Sequence, residues 1–201
     1  SQGGFVGNVN SGTLSIINSY TTGEIASTKV SGGFVGHVGV GASLLIKDSY
    51  NRINLSGTHT GGSGGFVGTA VGESVTIQDS TNYGNVSTTS YHRYNADTGG
   101  IIGNASASSL SLSGVTNSGT IIGDGVTPNN VGGLIGYSNA PSTLTSSYNT
   151  GAISGLSDYV GGLIGYAAAA QTISSSYNTG AISGSSNYVG GLIGYAAAAQ
   201  T

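Results

Sequence analysis

The stretch YVGGLIGYAAAAQT occupies residues 159–172 and recurs without a change at residues 188–201. Such exact repetition indicates a protein built from tandem structural repeats. Within this stretch lies the pattern Gly-Gly-apolar-apolar-Gly, named here the glycine box. It begins at residues 3, 32, 64, 99, 132, 161 and 190, as GGFVG, GGIIG or GGLIG. The intervals of 29, 32, 35, 33, 29 and 29 residues predict one continuous repeat array over residues 1–201.

A second motif lies between the boxes, as INSYTTGEI at 17–25 and LTSSYNTGAI at 144–153. Its copies align into two columns that we predict to be structural ladders. Stacked amides can satisfy one another, whereas a buried unpaired amide costs about 1–3 kcal/mol. The asparagine column follows Thr21 and contains Asn51, Asn82, Asn117, Asn149 and Asn178. The tyrosine column contains Tyr20, Tyr50, Tyr148 and Tyr177, whose rings we expect to be buried offset along the axis.

The repeat predicts an all-β fold, a parallel β-helix (β-solenoid) of six to seven coils with 29–35 residues in each. Glycine disfavours helix by about 1 kcal/mol per position, and each period contains several glycines. We expect three short strands in each coil, with coils about 4.8 Å apart. The box glycines are expected to supply positive φ angles at the corners. The alanine runs should form a flat wall or a tight corner, and segments 56–63 and 87–98 should be loops.

The charge distribution limits the classes of function. Charged residues make up 5% of the chain, and after Arg93 the only ones are Asp97, Asp124 and Asp158. A nucleic-acid partner needs many lysines and arginines, so we predict none. We also predict no membrane insertion, because no apolar run approaches the roughly 20 residues that a spanning helix needs. The absence of cysteine excludes disulfides and thiolate metal sites and is compatible with an extracellular or cell-surface location.

The box and the second motif together resemble the GLUG repeat. The best matches are GGLIGY at 132–137, 161–166 and 190–195, each preceded or followed by the SYNTG-like motif. This repeat occurs in large bacterial surface proteins, including adhesin-like proteins and the non-catalytic part of some IgA-cleaving metallopeptidases. The resemblance therefore implies a secreted or surface-attached stalk. The HExxH motif of those peptidases is absent, so no catalysis is carried over.

The sequence contains few candidates for catalytic or metal-binding residues. His37, His59 and His92 occupy different positions in the repeat, which argues against a shared metal site. Asp48 and Asp79 share one column and could serve acid/base chemistry or bind calcium, but we expect solvated carboxylates paired with Lys47 or Arg52. We predict no enzyme activity, no metal and no cofactor. The sequons at Asn54, Asn85 and Asn104 are potential glycosylation sites.

We expect a structural role, as a rigid stalk or fibre segment of a surface protein. No capping repeat is visible, so we expect either a slice of a longer chain with flanking domains or end-to-end stacking with itself. The alternative is a carbohydrate-binding or polysaccharide-lyase-like β-helix that contacts surface glycans. Its candidate contacts are Tyr159, Tyr188 and Asp158. Ice binding is a lesser alternative, because the aligned threonines are not expected to keep a period-two array.

Overall fold

The predicted fold class is confirmed. A computed structural model describes residues 1–58, 60–90, 96–125, 129–156, 159–185 and 187–201, and these form a parallel β-solenoid of about six turns. Every strand pairs in parallel with the equivalent strand one coil away. None of the described residues belongs to a helix long and apolar enough to cross a membrane.

Each coil contributes strands to four sheets, which form four walls, whereas we predicted three short strands in each coil. The box contributes to two of them, because the chain bends at the second glycine and the first apolar residue of the box. Sheet 1 contains Gln2–Gly3, Ser31–Gly32, Ser63–Gly64, Thr98–Gly99, Asn130–Gly132, Tyr159–Gly161 and Tyr188–Gly190. Sheet 2 contains Val6–Val9, Val35–Val38, Val67–Ala70, Ile102–Ala105, Ile135–Ser138, Ile164–Ala167 and Ile193–Ala196.

The other two walls come after sheet 2 along the chain, and the second of them contains the second motif. Sheet 3 contains Gly12–Ile17, Ala42–Lys47, Ser74–Gln78, Ser109–Ser113, Ser142–Thr145 and Gln171–Ser174. Sheet 4 contains Tyr20–Ala26, Tyr50–Thr58, Thr81–Asn82, Val86–Ser90, Thr116–Asn117, Ile121–Gly125, Tyr148–Asn149, Ile153–Gly155, Tyr177–Asn178 and Ile182–Gly184. Residues 56–58 and 87–90, predicted as loops, therefore extend sheet 4, where Ser87 is in register with Ser56. Residues 59 and 91–95 of the same segments lie outside the described residues.

The box glycines are required for close approach of the backbone. Our prediction of positive φ was wrong for them, since none of them has a positive φ. A Cβ on Gly32 would lie 2.7 Å from Gly68 N and from Phe66 O, both in the next coil. Real Cβ atoms essentially never come closer than 3.0 Å to such atoms. A Cβ on Gly32 would also overlap Val35 O of its own coil. The box is glycine-rich because its own turn and the adjacent coil leave no room there for a side chain.

The asparagine column forms one continuous hydrogen-bonded row inside the solenoid. Thr21 Oγ1 donates to Asn51 Oδ1 at 2.6 Å, and each asparagine Nδ2 then donates to the next asparagine Oδ1 at 2.7 Å, as far as Asn178. Each Nδ2 also donates to the carbonyl two residues later in its own coil, for example Gly119 for Asn117. Asn51, Asn82, Asn117 and Asn149 are completely buried. Their amides are satisfied both along and across the coils.

This asparagine row divides the interior into two apolar compartments. Each asparagine packs against the second glycine of its own box, so that a Cβ on Gly162 would lie 2.8 Å from Asn178 Cβ. On one side is a large cluster around Phe34, Phe66, Leu134 and Leu144. On the other side is a smaller cluster of residues from sheet 4 and the box-preceding valines, namely Ile53, Leu55, Val86, Ile121, Val131, Ile153 and Val160. The two sequence motifs thus contact each other across the coil.

The column that contains Asp48 and Asp79 is a left-handed corner between sheets 3 and 4. Asn18, Asp48, Asp79, Ser146 and Ser175 have φ between 45° and 50°, and Gly114 has φ 63°. Asparagine, aspartate and glycine tolerate this conformation best. Asp48 also forms the predicted ion pair with Lys47, at 3.9 Å. Both aspartates are exposed, and the corner geometry accounts for their column without any chemistry.

This corner predicts a stabilising substitution at Ser146. Left-handed φ costs a side chain about 1–2 kcal/mol, and glycine loses about 0.5–1 kcal/mol through entropy. Ser146→Gly should therefore raise the free energy of unfolding by about 0.5–1 kcal/mol. Ser154→Gly, on an exposed strand position, should lower it by about the same amount. Urea denaturation of both variants tests this, and equal effects would contradict it.

The surface also carries an array of hydroxyl groups that the threonines alone did not predict. Serines and threonines together form a period-two array on the outer face of sheet 3. Ser111 and Ser113 are in register with Thr143 and Thr145, which are in register with Thr172 and Ser174. Leu112, Leu144 and Ile173 alternate with them and point inward. The pattern was missed because threonines alone, without the serines, do not repeat.

Candidate functional site: a tyrosine face beside a buried Asp–Asn cluster

The outer surface of sheets 1 and 2 contains five tyrosines in the last three boxes. We name this surface the tyrosine face, and it consists of Tyr137, Tyr159, Tyr166, Tyr188 and Tyr195. Two of them, Tyr159 and Tyr188, are the predicted glycan contacts, and Tyr188 is 44% exposed. The third predicted contact, Asp158, lies outside the described residues.

The tyrosine face consists of two stacked columns in edge contact. Tyr166 stacks on Tyr137 at 5.4 Å and on Tyr195 at 5.2 Å between ring centroids. Tyr159 stacks on Tyr188 at 5.2 Å, and its edge meets Tyr166 at 5.0 Å with 72° between the planes. Within each column a ring therefore covers the face of its neighbour. A sugar approaching from the side would meet ring edges rather than an open ring face.

A buried polar cluster continues both columns towards the amino-terminal coils. Asn104 is in register with Tyr137, and Asn130 is in register with Tyr159. Both amides donate to Asp97, Asn104 Nδ2 to Oδ2 and Asn130 Nδ2 to Oδ1, each at 2.6 Å. Asp97 is only 4% exposed. Asn130 Oδ1 is buried and accepts no hydrogen bond from any residue that the structure describes.

Burial raises the pKa of the Asp97 carboxyl, and the hydrogen bonds from Asn130 and Asn104 oppose this shift. Burial also raises the pKa of Tyr137, with further contributions from the negative charge of Asp97 and from Tyr166. Within the described part of the chain, the only ion pair is Lys47–Asp48. No described cation therefore neutralises Asp97 by direct contact.

The raised pKa of Asp97 predicts a stability that depends on pH. The folded chain holds a proton on Asp97 to higher pH than the unfolded chain does, so stability falls as pH rises from about 3.9 through the folded pKa. Asp97→Asn should remove this loss, because Asn130 can turn its unpartnered oxygen towards the new amide. Denaturation of both proteins from pH 3 to pH 8 should show the variant gaining relative stability with pH. A constant difference, or the same trend in the exposed-site variant Asp124→Asn, would contradict this.

The predicted tyrosine column lies on the outside, and its rings are only partly buried. Tyr20 stacks on Tyr50 at 5.2 Å, and Tyr148 stacks on Tyr177 at 4.8 Å with 2° between the planes. Tyr20 and Tyr177 are 60% and 48% exposed, so the expected burial of these rings was wrong. Threonines 81 and 116 separate the two pairs. Arg52, predicted as a partner of the aspartates, instead lies 5.2 Å from the Tyr50 ring and 5.4 Å from the Tyr83 ring.

The other candidate residues do not come together. His37 projects from sheet 2, where burial and then the amino-terminal charge lower its pKa. His59 and His92 lie outside the described residues, and among those described no three acidic, cysteine or histidine side chains could hold a metal. Asn54 and Asn85 accept bonds from backbone N–H groups one coil on, at Asn85 and Thr120.

Three of the five tyrosines, the Asp97 cluster and a ladder of serines were not predicted from the sequence. Tyr137, Tyr166 and Tyr195 end the GGLIGY boxes, and their spacing from Tyr159 and Tyr188 could have placed them on one surface. Asp97 has no equivalent in the other copies, so column alignment could not reveal it. In the serine ladder, backbone N–H groups donate to serine hydroxyls one coil on, for example Ser49 N to Ser80 Oγ at 3.1 Å.

These features define a class, the repeat-built parallel β-solenoids with an internal asparagine ladder. No family model, curated protein or solved structure matches the chain.

Proposed function

We propose that this chain is a rigid structural segment, a stalk or fibre, of an adhesin-like protein at the cell surface. The observation that carries the proposal is the asparagine row that runs from Asn51 to Asn178 without interruption. Such a row holds neighbouring coils in one register, and nearest-neighbour stacking gives length by repetition. The resemblance to GLUG repeats supports the surface location, and the low charge is compatible with an inert spacer.

Two measurements test this proposal. Small-angle X-ray scattering of the 201-residue chain and of a tandem double-length chain should give one cross-section and an additive length. Antibodies against the chain should label intact cells of the source organism, and the label should disappear after surface proteolysis. A bent or collapsed double-length chain, or label found only after lysis, would overturn the proposal.

Self-association of the isolated chain is part of the same proposal. The first coil exposes Phe5, and the last coil exposes Val189 and Leu192, whose equivalents in the inner coils are buried. Both coils present unpaired strand edges, which readily pair with another chain. Negative-stain microscopy at two concentrations should show rods that lengthen with concentration. Rods of constant length at both concentrations would contradict self-association.

Carbohydrate binding is a second candidate, favoured by the tyrosine face and the adjacent Asp97 cluster. Aromatic rings with nearby carboxylate and amide groups suit sugar hydroxyls, although the stacked columns offer mainly ring edges. A glycan array should then show binding that Tyr159→Ala abolishes and Tyr20→Ala leaves unchanged. The lyase-like variant of this candidate gains no support from Asp48 and Asp79, which are corner residues.

Ice binding is a lesser candidate, favoured by the period-two hydroxyl array on sheet 3. The array is uncharged over the last three strands, and its hydroxyls repeat about 4.8 Å between coils and about 6.7 Å along each strand. The wild-type chain should be retained in growing ice, and Thr143→Lys should release it. Equal retention of the two proteins would overturn this candidate.

A further inference from the structure

The tyrosine pair on the outside of sheet 4 has an unusual geometry. Tyr148 and Tyr177 lie on adjacent coils in parallel register, with ring centroids 4.8 Å apart and 2° between the ring planes. This is the shortest and most nearly parallel ring contact among the described residues. Tyr177 is 48% exposed, and Tyr148 is partly exposed. Small oxidants in the solvent therefore reach both rings.

We propose that Tyr148 and Tyr177 are a site of dityrosine cross-linking between neighbouring coils. The co-reactant is hydrogen peroxide, used through a peroxidase. Each phenol loses one electron and its hydroxyl proton, which gives two tyrosyl radicals. The peroxide takes up both electrons and both protons and becomes two molecules of water.

The two radicals then couple through the ring carbons next to the hydroxyl groups. One carbon–carbon bond forms, and each bonded carbon passes its hydrogen to the phenolic oxygen, which restores two phenols. Two tyrosines and one peroxide therefore yield one dityrosine and two waters. The backbone hydrogen bonds of the coils hold the rings adjacent, so the radicals couple without a diffusional search.

The structure distinguishes this pair from the other stacked tyrosines. The rings of Tyr20 and Tyr50 are nearly as parallel, with 7° between their planes, but the guanidinium of Arg52 lies over Tyr50. A neighbouring positive charge disfavours the loss of an electron from that ring. On the tyrosine face, each ring has several neighbours and the planes of stacked rings differ by 23–28°. Tyr148 and Tyr177 form the isolated parallel pair.

The cross-link would join two coils covalently on the surface of the solenoid. The two linked tyrosines are 29 residues apart in the sequence, which is the length of one period. Unlike a disulfide, this carbon–carbon bond is not reduced by thiols. It would give a cysteine-free rod a covalent connection that resists mechanical and chemical unfolding.

The test uses the full 201-residue chain, diluted so that contacts between molecules are rare, with a plant peroxidase and hydrogen peroxide. We expect dityrosine fluorescence in the monomer and a loss of two hydrogen atoms from its mass. Because no lysine or arginine follows Arg93, a protease specific for small apolar residues replaces trypsin. Mass spectrometry of the digest should identify one major linked pair of peptides, containing Tyr148 and Tyr177.

Tyr177→Phe should lose most of the intramolecular dityrosine, because phenylalanine forms no phenoxyl radical. Tyr188→Phe is the matched control and should keep it. Circular dichroism establishes that both variants retain the fold. The proposal is overturned if the cross-links join different molecules only, if Tyr177→Phe leaves the yield unchanged, or if the major linked peptides contain Tyr20 and Tyr50.

Discussion

Gly162→Ala should lower the stability of the chain by about 3 kcal/mol, at the upper end of the cost of overpacking a well-packed interior. The new Cβ would lie 2.8 Å from Asn178 Cβ and 2.9 Å from Asn178 Cγ, and it would overlap Gly191 O. Gly191 O belongs to the backbone of the next coil, and Asn178 Cβ is fixed to the backbone of the same coil, so a rotamer change cannot relieve the overlap. The last coil must move away, and its hydrogen bonds to the preceding coil must lengthen.

Gly191→Ala is the matched control because residues 188–201 repeat residues 159–172 letter for letter. A Cβ on Gly191 meets nothing within 4 Å. Gly191→Ala should therefore change the free energy of unfolding by less than about 1 kcal/mol. The change should be stabilising where the lower conformational entropy of the unfolded chain dominates. Urea denaturation and hydrogen exchange of the amides of Ile193–Ala196 measure the two variants. Equal destabilisation by both substitutions would show that backbone propensity, rather than the coil contact, explains the glycine.

The periodicity of the box was sufficient to predict the stacking of the coils. In a solenoid the interval between equivalent residues is the length of a coil, and the register follows from it, as Asn117 opposite Asn149 illustrates. The backbone conformation within a coil was harder to predict from the sequence. Glycine in a sequence indicates either an unusual φ or the absence of space for a side chain. The box glycines belong to the second case, and only the positions of neighbouring coils can show this.

The candidate site was harder to predict for a related reason. Alignment of copies finds residues that recur, and it therefore found Tyr159 with Tyr188 and Asp48 with Asp79. An alignment does not show whether a column faces the interior or the solvent. The outward tyrosines of two adjacent sheets were therefore not recognised as one face. An alignment also cannot find a residue that occurs once. Asp97 acquires its environment from Asn104 and Asn130, which belong to two different coils.

The other large effect is expected at the centre of the asparagine row, for Asn117→Leu. The substitution keeps a side chain of similar size against Gly100, so it leaves no large cavity. It removes the acceptor of Asn82 Nδ2 and the donor to Asn149 Oδ1 and to Gly119 O. Asn82 Nδ2 keeps its bond to Gly84 O, so it loses the acceptor of one N–H only. Each buried N–H or oxygen that loses its partner costs about 1–3 kcal/mol. The three together should lower the free energy of unfolding by at least about 3 kcal/mol.

Asn178→Leu separates this effect from the general cost of replacing an amide by an apolar side chain. Asn178 is only partly buried, and within the row it accepts a single bond, from Asn149 Nδ2. The substitution leaves one buried N–H of Asn149 without its acceptor, whereas water can reach the backbone groups of the half-buried Gly180 that Asn178 bonds. Its cost should therefore be less than half that of Asn117→Leu. Hydrogen exchange should show opening on both sides of position 117, at Thr81–Asn82 and Tyr148–Asn149, because stability in a solenoid is transmitted between nearest neighbours. If the two substitutions cost the same, the row contributes no more than isolated amides would, and the continuity of the ladder is not what holds the coils in register.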